Sequence, residues 1–474
     1  MSKNNKNLKE IKGENNNSES PSTLKMLSYS LTFYVSNIVL LAYSYIGIYF
    51  YEVEVGLSIT LVALAQTIYA ICNMFNDPLV GYLTDRPMPW TEKWGMRAPW
   101  ILISVVPTVI FFFLIFTPPD LDPQNQWPVF WYMLLITCLY DAFYSIYTEH
   151  YSGGFAAHFR SENERHKASL ITQIVGTMGT LTVIVIPPLI YRYGDKTSFT
   201  RAAGVGGIIM LIAIIFMIPG IKESDIIKKR FIQGYQAAEK ISFWKTMKYA
   251  FKAKNFMISL LAYTLYTVSY TLAGASAIYF MKDVLRVKEE AIILPNILNM
   301  AFSLISMPLW LKFGRKRLGQ KKMYALGLIW MGLAYIPVLW YTDYLWAPIL
   351  ASVGAIGYGC FTVMVMPVVS DCYDEVSTIT GKHQEATLLG IRNFFIRISI
   401  IAQSVVIAVM HQITNYNPNP FALQTELAII GIRITYGLIP ALCLFLAAFV
   451  MIRWYDLEGA RKQAVLDKLK ELKI

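Results

Sequence analysis

The chain has 474 residues, of which 55% are hydrophobic and only 15% charged, and its net charge is +11. A soluble domain carries nearer ~25% charged residues, so this composition excludes an ordinary water-soluble globule. In a soluble protein the positive charge would suit nucleic acid. Here it collects in alternate loops between apolar runs, so the expected partner is the lipid bilayer and not nucleic acid.

Residues 1–24 are rich in Asn, Lys, Ser and Glu and contain no apolar run. They read as a disordered cytoplasmic tail rather than a cleaved signal peptide. The first apolar helix then serves as an uncleaved anchor. A membrane span needs about 20 apolar residues. The runs 28–50, 57–84, 99–118, 127–156, 166–190 and 202–221 meet that length, and so do 255–281, 290–312, 322–341, 344–372, 386–411 and 428–453. They are long and show no two-residue alternation, which predicts helices rather than barrel strands. The fold class expected is an all-α membrane protein with twelve transmembrane helices in two six-helix bundles.

Loop charges orient these spans by the positive-inside rule. The loops 51–56, 119–126, 342–343 and 412–427 have no Lys or Arg, whereas the alternate loops carry clusters such as Arg315, Lys316, Arg317, Lys321 and Lys322. Two outer loops dissent, with Arg192, Lys196 and Arg201 in one and Lys282, Arg286 and Lys288 in the other, and most of these have acidic neighbours. Both termini are expected in the cytoplasm, with the chain in the plasma membrane. The basic stretch 222–254 divides a first bundle, 25–221, from a second, 255–453, and 454–474 forms a cytoplasmic tail. Within the linker, Trp244, Met247, Tyr249 and Phe251 among lysines predict an interfacial amphipathic helix. Two six-span halves joined by a basic loop is the organisation of the major facilitator superfamily. A weak repeat supports it: Pro78-Leu79 with Gly81 and Asp85-Arg86 after span two, and Pro308-Leu309 with Gly314-Arg315 after span eight.

Carboxylates inside apolar spans are the chemical signal. A charge at mid-membrane costs at least about 2.5–3.5 kcal/mol on insertion scales, so it faces a bundle interior or wet cavity and marks a path for ions or substrate. Asp77 lies in span two with Asn73 and Asn76 at helical spacing, and Asp141 lies in span four one turn after Cys138. An alkali cation wants several hard oxygens; a proton wants one carboxylate. Asp77 with Asn73 and Asn76 fits either, against the alternative of a polar contact between helices. Asp141 is an acceptor for substrate hydroxyls or an ion partner. Arg397, near the middle of span eleven, would fork onto substrate oxygens or neutralise a carboxylate, the alternative being a structural ion pair. Asp371, Asp374, Glu375, Lys382 and His383 at the inner end of span ten, with Arg165 opening span five, suggest a gate closed by ion pairs, against a solvated loop of mixed charge. Tyr144 and other span tyrosines offer sugar-stacking faces, though most are expected to be packing residues. No Walker loop, dinucleotide fingerprint, zinc-protease helix or nucleophile elbow occurs, which argues against an enzyme and an ATP-driven pump. The five cysteines lack metal or redox spacing, and no cofactor is expected.

The chain resembles the glycoside–pentoside–hexuronide:cation symporters, the family of the melibiose carrier, within the major facilitator superfamily. The resemblance rests on Asn76-Asp77-Pro78 with Gly81, on Arg97-Ala98-Pro99-Trp100, on Asp371, Asp374 and Glu375, and on Thr380-Gly381-Lys382, in that order, and it covers the chain after Leu24. It implies a cation site at Asp77, Asn76, Asn73 and Cys138. Asn73 stands where the family has a second acid and Cys138 where it has a threonine, which leaves H+ coupling, Na+ coupling or uncoupled passage open. It implies substrate contacts at Asp141 and Arg397, and at the family's sugar-site positions, which are changed here to Ser36, Asn37, Ser145, Gln173 and Thr362. It also implies an inner gate of Arg165, Asp371, Asp374 and His383. The expected function is a secondary transporter, a monomer, that carries a small molecule such as a sugar or glycoside with a coupling cation by alternating access. Carriage of lysophospholipids, a non-transporting sensor and a membrane enzyme are the rivals.

Overall fold

The computed structural model describes residues 21–84, 87–159, 161–228, 243–380 and 385–472. Among them, twelve helices have the length and composition to cross a membrane. In chain order they are α1 (Thr23–Glu54), α2 (Ile59–Asn76, continuing as helix to Thr84), α3 (Ala98–Ile115), α4 (Trp127–Phe155), α5 (Asn163–Ile190) and α6 (Lys196–Ile221). The second six are α7 (Lys254–Val284), α8 (Glu289–Gly314), α9 (Arg317–Leu339), α10 (Trp346–Thr380), α11 (Leu388–Ile413) and α12 (Glu426–Trp454). A last helix, α13, spans Gly459–Leu472. Because the spans alternate in direction and are even in number, the described chain begins and ends on one side, here the terminal side. The loops 55–58, 116–126, 191–195, 285–288, 340–345 and 414–425 lie on the other, distal side. Residues 1–20 of the predicted N-terminal tail, Arg86 and His383 fall outside the described residues, as do residues 229–242 of the linker. Its segment Phe243–Ala250 is helical.

The helices turn large apolar side chains outward as well as inward; Ile215 and Phe216 are each 64% exposed. In water that would be unfavourable, but against acyl chains it is the expected surface. Without a hydrophobic drive between helices, association rests on close packing and hydrogen bonds, which favour small residues. Gly220 of α6 touches the backbone of Ser28 and Tyr29 in α1, and its N–H donates to Ser28 Oγ at 2.8 Å. Ser28 Oγ in turn donates to the Phe216 carbonyl at 2.6 Å. Gly327 of α9 lies equally close to the backbone of α10 at Gly357 and Phe361.

The two halves share a feature that the Pro-Leu repeat does not contain. Ile48-Tyr49-Phe50 and Ile278-Tyr279-Phe280 occupy matching positions, and each run opens a π-turn, Phe50–Glu54 in α1 and Phe280–Val284 in α7. Each turn is followed by a left-handed residue, Gly56 (φ 82°) and Arg286 (φ 53°). Glycine takes that conformation without a steric penalty, and Arg286 takes it despite one. A π-turn carries an extra residue and rotates the side chains that follow, and Glu52 within the first is buried, 3% exposed.

Dissenting basic residues on the distal side find acidic partners: Arg192 with Glu290 at 3.2 Å, Lys196 with Asp120 at 3.2 Å, Arg201 with Asp195 at 2.9 Å and Lys282 with Asp283 at 2.8 Å. On the terminal side, Glu223 accepts the backbone N–H groups of Met96 and Arg97 at 2.7 and 2.8 Å, a carboxylate placed where the start of α3 favours negative charge.

Helix α13 folds back onto the second bundle. Lys462 pairs with Asp371 at 2.5 Å, and Arg461 pairs with Asp456 at 2.7 Å. Lys254 reaches the same Asp456 oxygen at 2.7 Å, and Leu469 is buried. Burial opposes the Asp456 charge, but the Lys254 hydrogen bond, the Asn255 amide and the Arg461 charge outweigh it and hold the carboxyl below its usual range. A carboxyl lowered in the folded state stabilises above its unfolded value, about 3.9, and loses that contribution as pH falls through its folded value. The docked α13 is therefore expected to stay immobile from neutral pH to the edge of that window and to loosen below it. The mobility of a spin label at position 468 reads this.

Candidate functional site

Asp141 sits inside the first bundle, 4% exposed. The Tyr69 hydroxyl of α2 donates to its Oδ1 at 3.0 Å, and the Asn73 side-chain amide donates to the Tyr69 oxygen at 3.4 Å. Tyr69 thus joins the two clusters that the sequence set apart, one on α2 and one on α4. Asn73 is 1% exposed, and neither its Oδ1 nor the buried Asn76 Nδ2 has a hydrogen-bond partner among the described residues. Leaving such groups unmet inside a membrane protein is costly. A free amide oxygen is also the hard ligand that a cation or a substrate hydroxyl would use. The backbone of Asp77 continues the same helix one turn after Asn73; its side chain is outside the described residues. Cys138 is part-buried on α4 beside Cys72.

A second polar string runs from α1 to α4. Ser36 Oγ and the Tyr144 hydroxyl lie 3.0 Å apart, and Tyr151 donates to Ser36 at 3.2 Å. Tyr144 stacks on Tyr140 with the ring planes 7° apart. Ser145 is buried next to it. From the opposite half, Arg397 lies close enough for its charge to act on both Tyr69 and Tyr144. It occupies the break between two helical pieces of α11, Glu385–Ile396 and Ile398–Ile413. The structure therefore brings Asn73, Asp141, Tyr144 and Arg397 around one region between the bundles.

Other candidate residues stand apart from it. Asn37 donates to the Gly176 carbonyl of α5 at 2.9 Å, a helix–helix bond. Gln173 is exposed on α5. Thr362 of α10 bonds Tyr358, which lines a separate cavity of about 310 Å³. That cavity lies between α5 and the second bundle, and Tyr45, Tyr270, Asn296, Asn299 and Tyr436 also border it. Of the residues expected at an inner gate, Asp371 is held by Lys462, and the exposed Arg165 donates through Nε to the Phe159 carbonyl at 3.0 Å. Asp374 is part-buried one turn from Asp371 on α10.

The sequence reading missed a junction near the distal ends. Glu52 of α1 accepts from Tyr279 of α7 at 2.6 Å and contacts His411 Nδ1 of α11 at 2.7 Å. The backbone N–H of Tyr193 donates to Glu289 at 2.6 Å, and Gln412 donates to Thr60 at 2.6 Å. Phe421 covers Gly194. Tyr69 was legible, since it lies one turn before Asn73 on the same face. Glu52 fell in the predicted loop 51–56 beside Glu54, and His411 at the end of a span 359 positions away, so nothing in the sequence paired them.

Two membrane-spanning six-helix halves, with Asp141 buried in the first and Arg397 of the second acting on the tyrosine that holds it, are the arrangement of a solute transporter. The chain belongs to the MFS/sugar transport protein family, which matches residues 23–459. It is 24% identical over 359 residues to the sodium-dependent lysophosphatidylcholine symporter 1-A of Danio rerio, an alignment covering 68% of this chain and 64% of that protein. It is 22% identical over 447 residues to the isoprimeverose transporter of Lactiplantibacillus pentosus, covering 93% of this chain and 90% of that one. A solved structure of a mutant of the nucleoside transporter NupG matches its fold with a TM-score of 0.64 at 14% identity, over 92% of this chain and 100% of that one.

Proposed function

We propose that the chain is a secondary transporter that carries a sugar or glycoside in symport with a cation, H+ or Na+, by alternating access. It acts as a monomer in the plasma membrane, with both termini cytoplasmic and the distal side outward. The observation that supports this reading is the approach of Arg397, from the other half, to Tyr69 and Tyr144, of which Tyr69 holds the buried Asp141. A carboxylate and a guanidinium on opposite bundles supply an acceptor and a donor fork for substrate hydroxyls, and stacked tyrosines supply the flat face that sugars use. Relatives named for isoprimeverose, raffinose and lactose support the substrate class.

Asp77 is assigned to coupling, with Asn73, Asn76 and Cys138 around it. Asp77→Asn is expected to abolish gradient-driven accumulation and to spare exchange, because the amide keeps the size and loses the charge. Wild-type accumulation by that variant removes Asp77 from the mechanism. The inner gate is assigned to Arg165, Asp371, Asp374 and His383, and closing it requires Asp371 to exchange Lys462 for a partner in the first bundle.

A second reading, carriage of a lysophospholipid, is favoured by one observation, the cavity of about 310 Å³ beside α5 and α8 whose walls are mainly apolar. Uptake into proteoliposomes separates the two. Isoprimeverose, raffinose, lactose and lysophosphatidylcholine are each supplied with and without a Na+ or pH gradient. Saturable, gradient-dependent sugar uptake supports the first reading; uptake of the lipid alone replaces it with the second.

A further inference from the structure

We infer that Glu52, His411 and Tyr279 form the gate on the distal side, a three-residue latch whose separation admits substrate from that side. The inference rests on the transporter reading and adds positioning residues to it. Glu52 belongs to the first half, and His411 and Tyr279 belong to the second. The Glu52 carboxylate spends both oxygens across the junction: Oε1 on His411 at 2.7 Å and Oε2 on Tyr279 at 2.6 Å. The side chains of Glu52 and His411 are 3% and 4% exposed.

A merely structural contact does not require this chemistry. Apolar residues of similar volume often hold a buried interface as well as an ionisable pair does, because desolvation cancels much of the attraction. A carboxylate and an imidazole differ from apolar residues in the separated state, where water solvates both. A junction that must open and close repeatedly therefore favours polar groups over a greasy seal. The local backbone supports this assignment. The π-turn Phe50–Glu54 is where Glu52 is presented to the junction, and α7 ends in a matching π-turn directly after Tyr279. Around the latch, Tyr416 stacks on His411 with centroids 4.2 Å apart and donates to Asp283 at 2.9 Å. Asp283 also holds Lys282. Glu54 accepts from Tyr49 and from the Gly194 backbone within the first half. Of the carboxylates near the distal end of α1, Glu52 is the one whose hydrogen bonds go to the opposite half.

The test uses the full chain in nanodiscs, with spin labels attached through a non-cysteine handle at Asn125 and Asp343. These are exposed distal-loop positions in opposite halves. Glu52→Ala is expected to move the distance distribution toward longer separations and to raise the open-to-closed ratio by at least about tenfold, because it removes both hydrogen bonds that this charged group makes across the junction. The exchange Glu52→His with His411→Glu is expected to restore the short distance, because it rebuilds the pair with its ends reversed. If Glu52→Ala lowers the yield of folded protein, His411→Leu, which has no donor for Glu52, reads the same opening. An unchanged distribution in these variants overturns the latch, and so does an opening that the exchanged pair fails to reverse. Uptake measured on the same samples keeps the readings distinct. Distances that shift as expected in a protein that moves none of the supplied solutes uphold the gate and count against the substrate class. Sugar uptake with immobile distances does the reverse.

Discussion

Asp141→Asn is expected to weaken substrate binding about tenfold to a hundredfold while leaving the helices in place, the loss of ~1.5–3 kcal/mol carried by a hydrogen bond to a charged group. The amide oxygen still accepts from Tyr69, which donates to Asp141 Oδ1 at 3.0 Å, so the string from α4 to α2 holds. The variant lacks the negative charge and the second acceptor oxygen that would meet substrate hydroxyls. Removing a buried charge also removes its desolvation penalty, so the thermal transition in lipid should stay or rise. Uptake kinetics and melting on one preparation read both effects. Tyr69→Phe should fall between wild type and Asp141→Asn, because it leaves the charge but frees the carboxylate to turn. Wild-type affinity in Asp141→Asn would take this residue out of the substrate site.

Gly220→Val is expected to cost more than about 3 kcal/mol and to abolish assembly of the first bundle, beyond the 1–3 kcal/mol of ordinary overpacking. A Cβ at position 220 would lie 2.5 Å from the Ser28 carbonyl carbon and 2.7 Å from the Tyr29 Cα, and closer still to the Tyr29 nitrogen. These are backbone atoms of α1, so no rotamer change relieves the clash. The helices must separate, which also breaks the two bonds of Ser28 at 2.6 and 2.8 Å. Ser28→Ala removes those two bonds without a clash and should cost only about 1–2 kcal/mol, the net value of two typical hydrogen bonds. Thermal unfolding in detergent, followed by the yield of monodisperse protein, separates the two variants. Full stability of Gly220→Val would mean that α1 and α6 do not approach as described.

Much of the candidate site could be read from residues alone because a helix repeats every 3.6 residues. Asn73, Asn76 and Asp77 announce one face of α2 by their spacing, and the same spacing extends to Tyr69. Ser36 and Tyr144 belong to two different helices, and their contact needs the packing of α1 on α4. Asn37 shows the limit of reading by position. It faces α5 and satisfies the Gly176 carbonyl, a role that its place in the chain does not reveal. Asp371 shows it again, because its partner Lys462 comes from a helix beyond the last span.

The sequence by itself determined that the chain crosses a membrane twelve times, where each span lies, and which spans carry charge. Those properties follow from local apolar length and from the high cost of a lone ion in lipid, and neither depends on which helix meets which. The tertiary structure alone decided that Glu52 meets His411 and Tyr279 and that Arg397 faces Tyr69 and Tyr144 from the other half. It also decided that α13 takes Asp371. Such pairings join residues hundreds of positions apart and arise only when the two bundles pack. Burial and hydrogen-bond geometry then select one partner from many of equal chemistry.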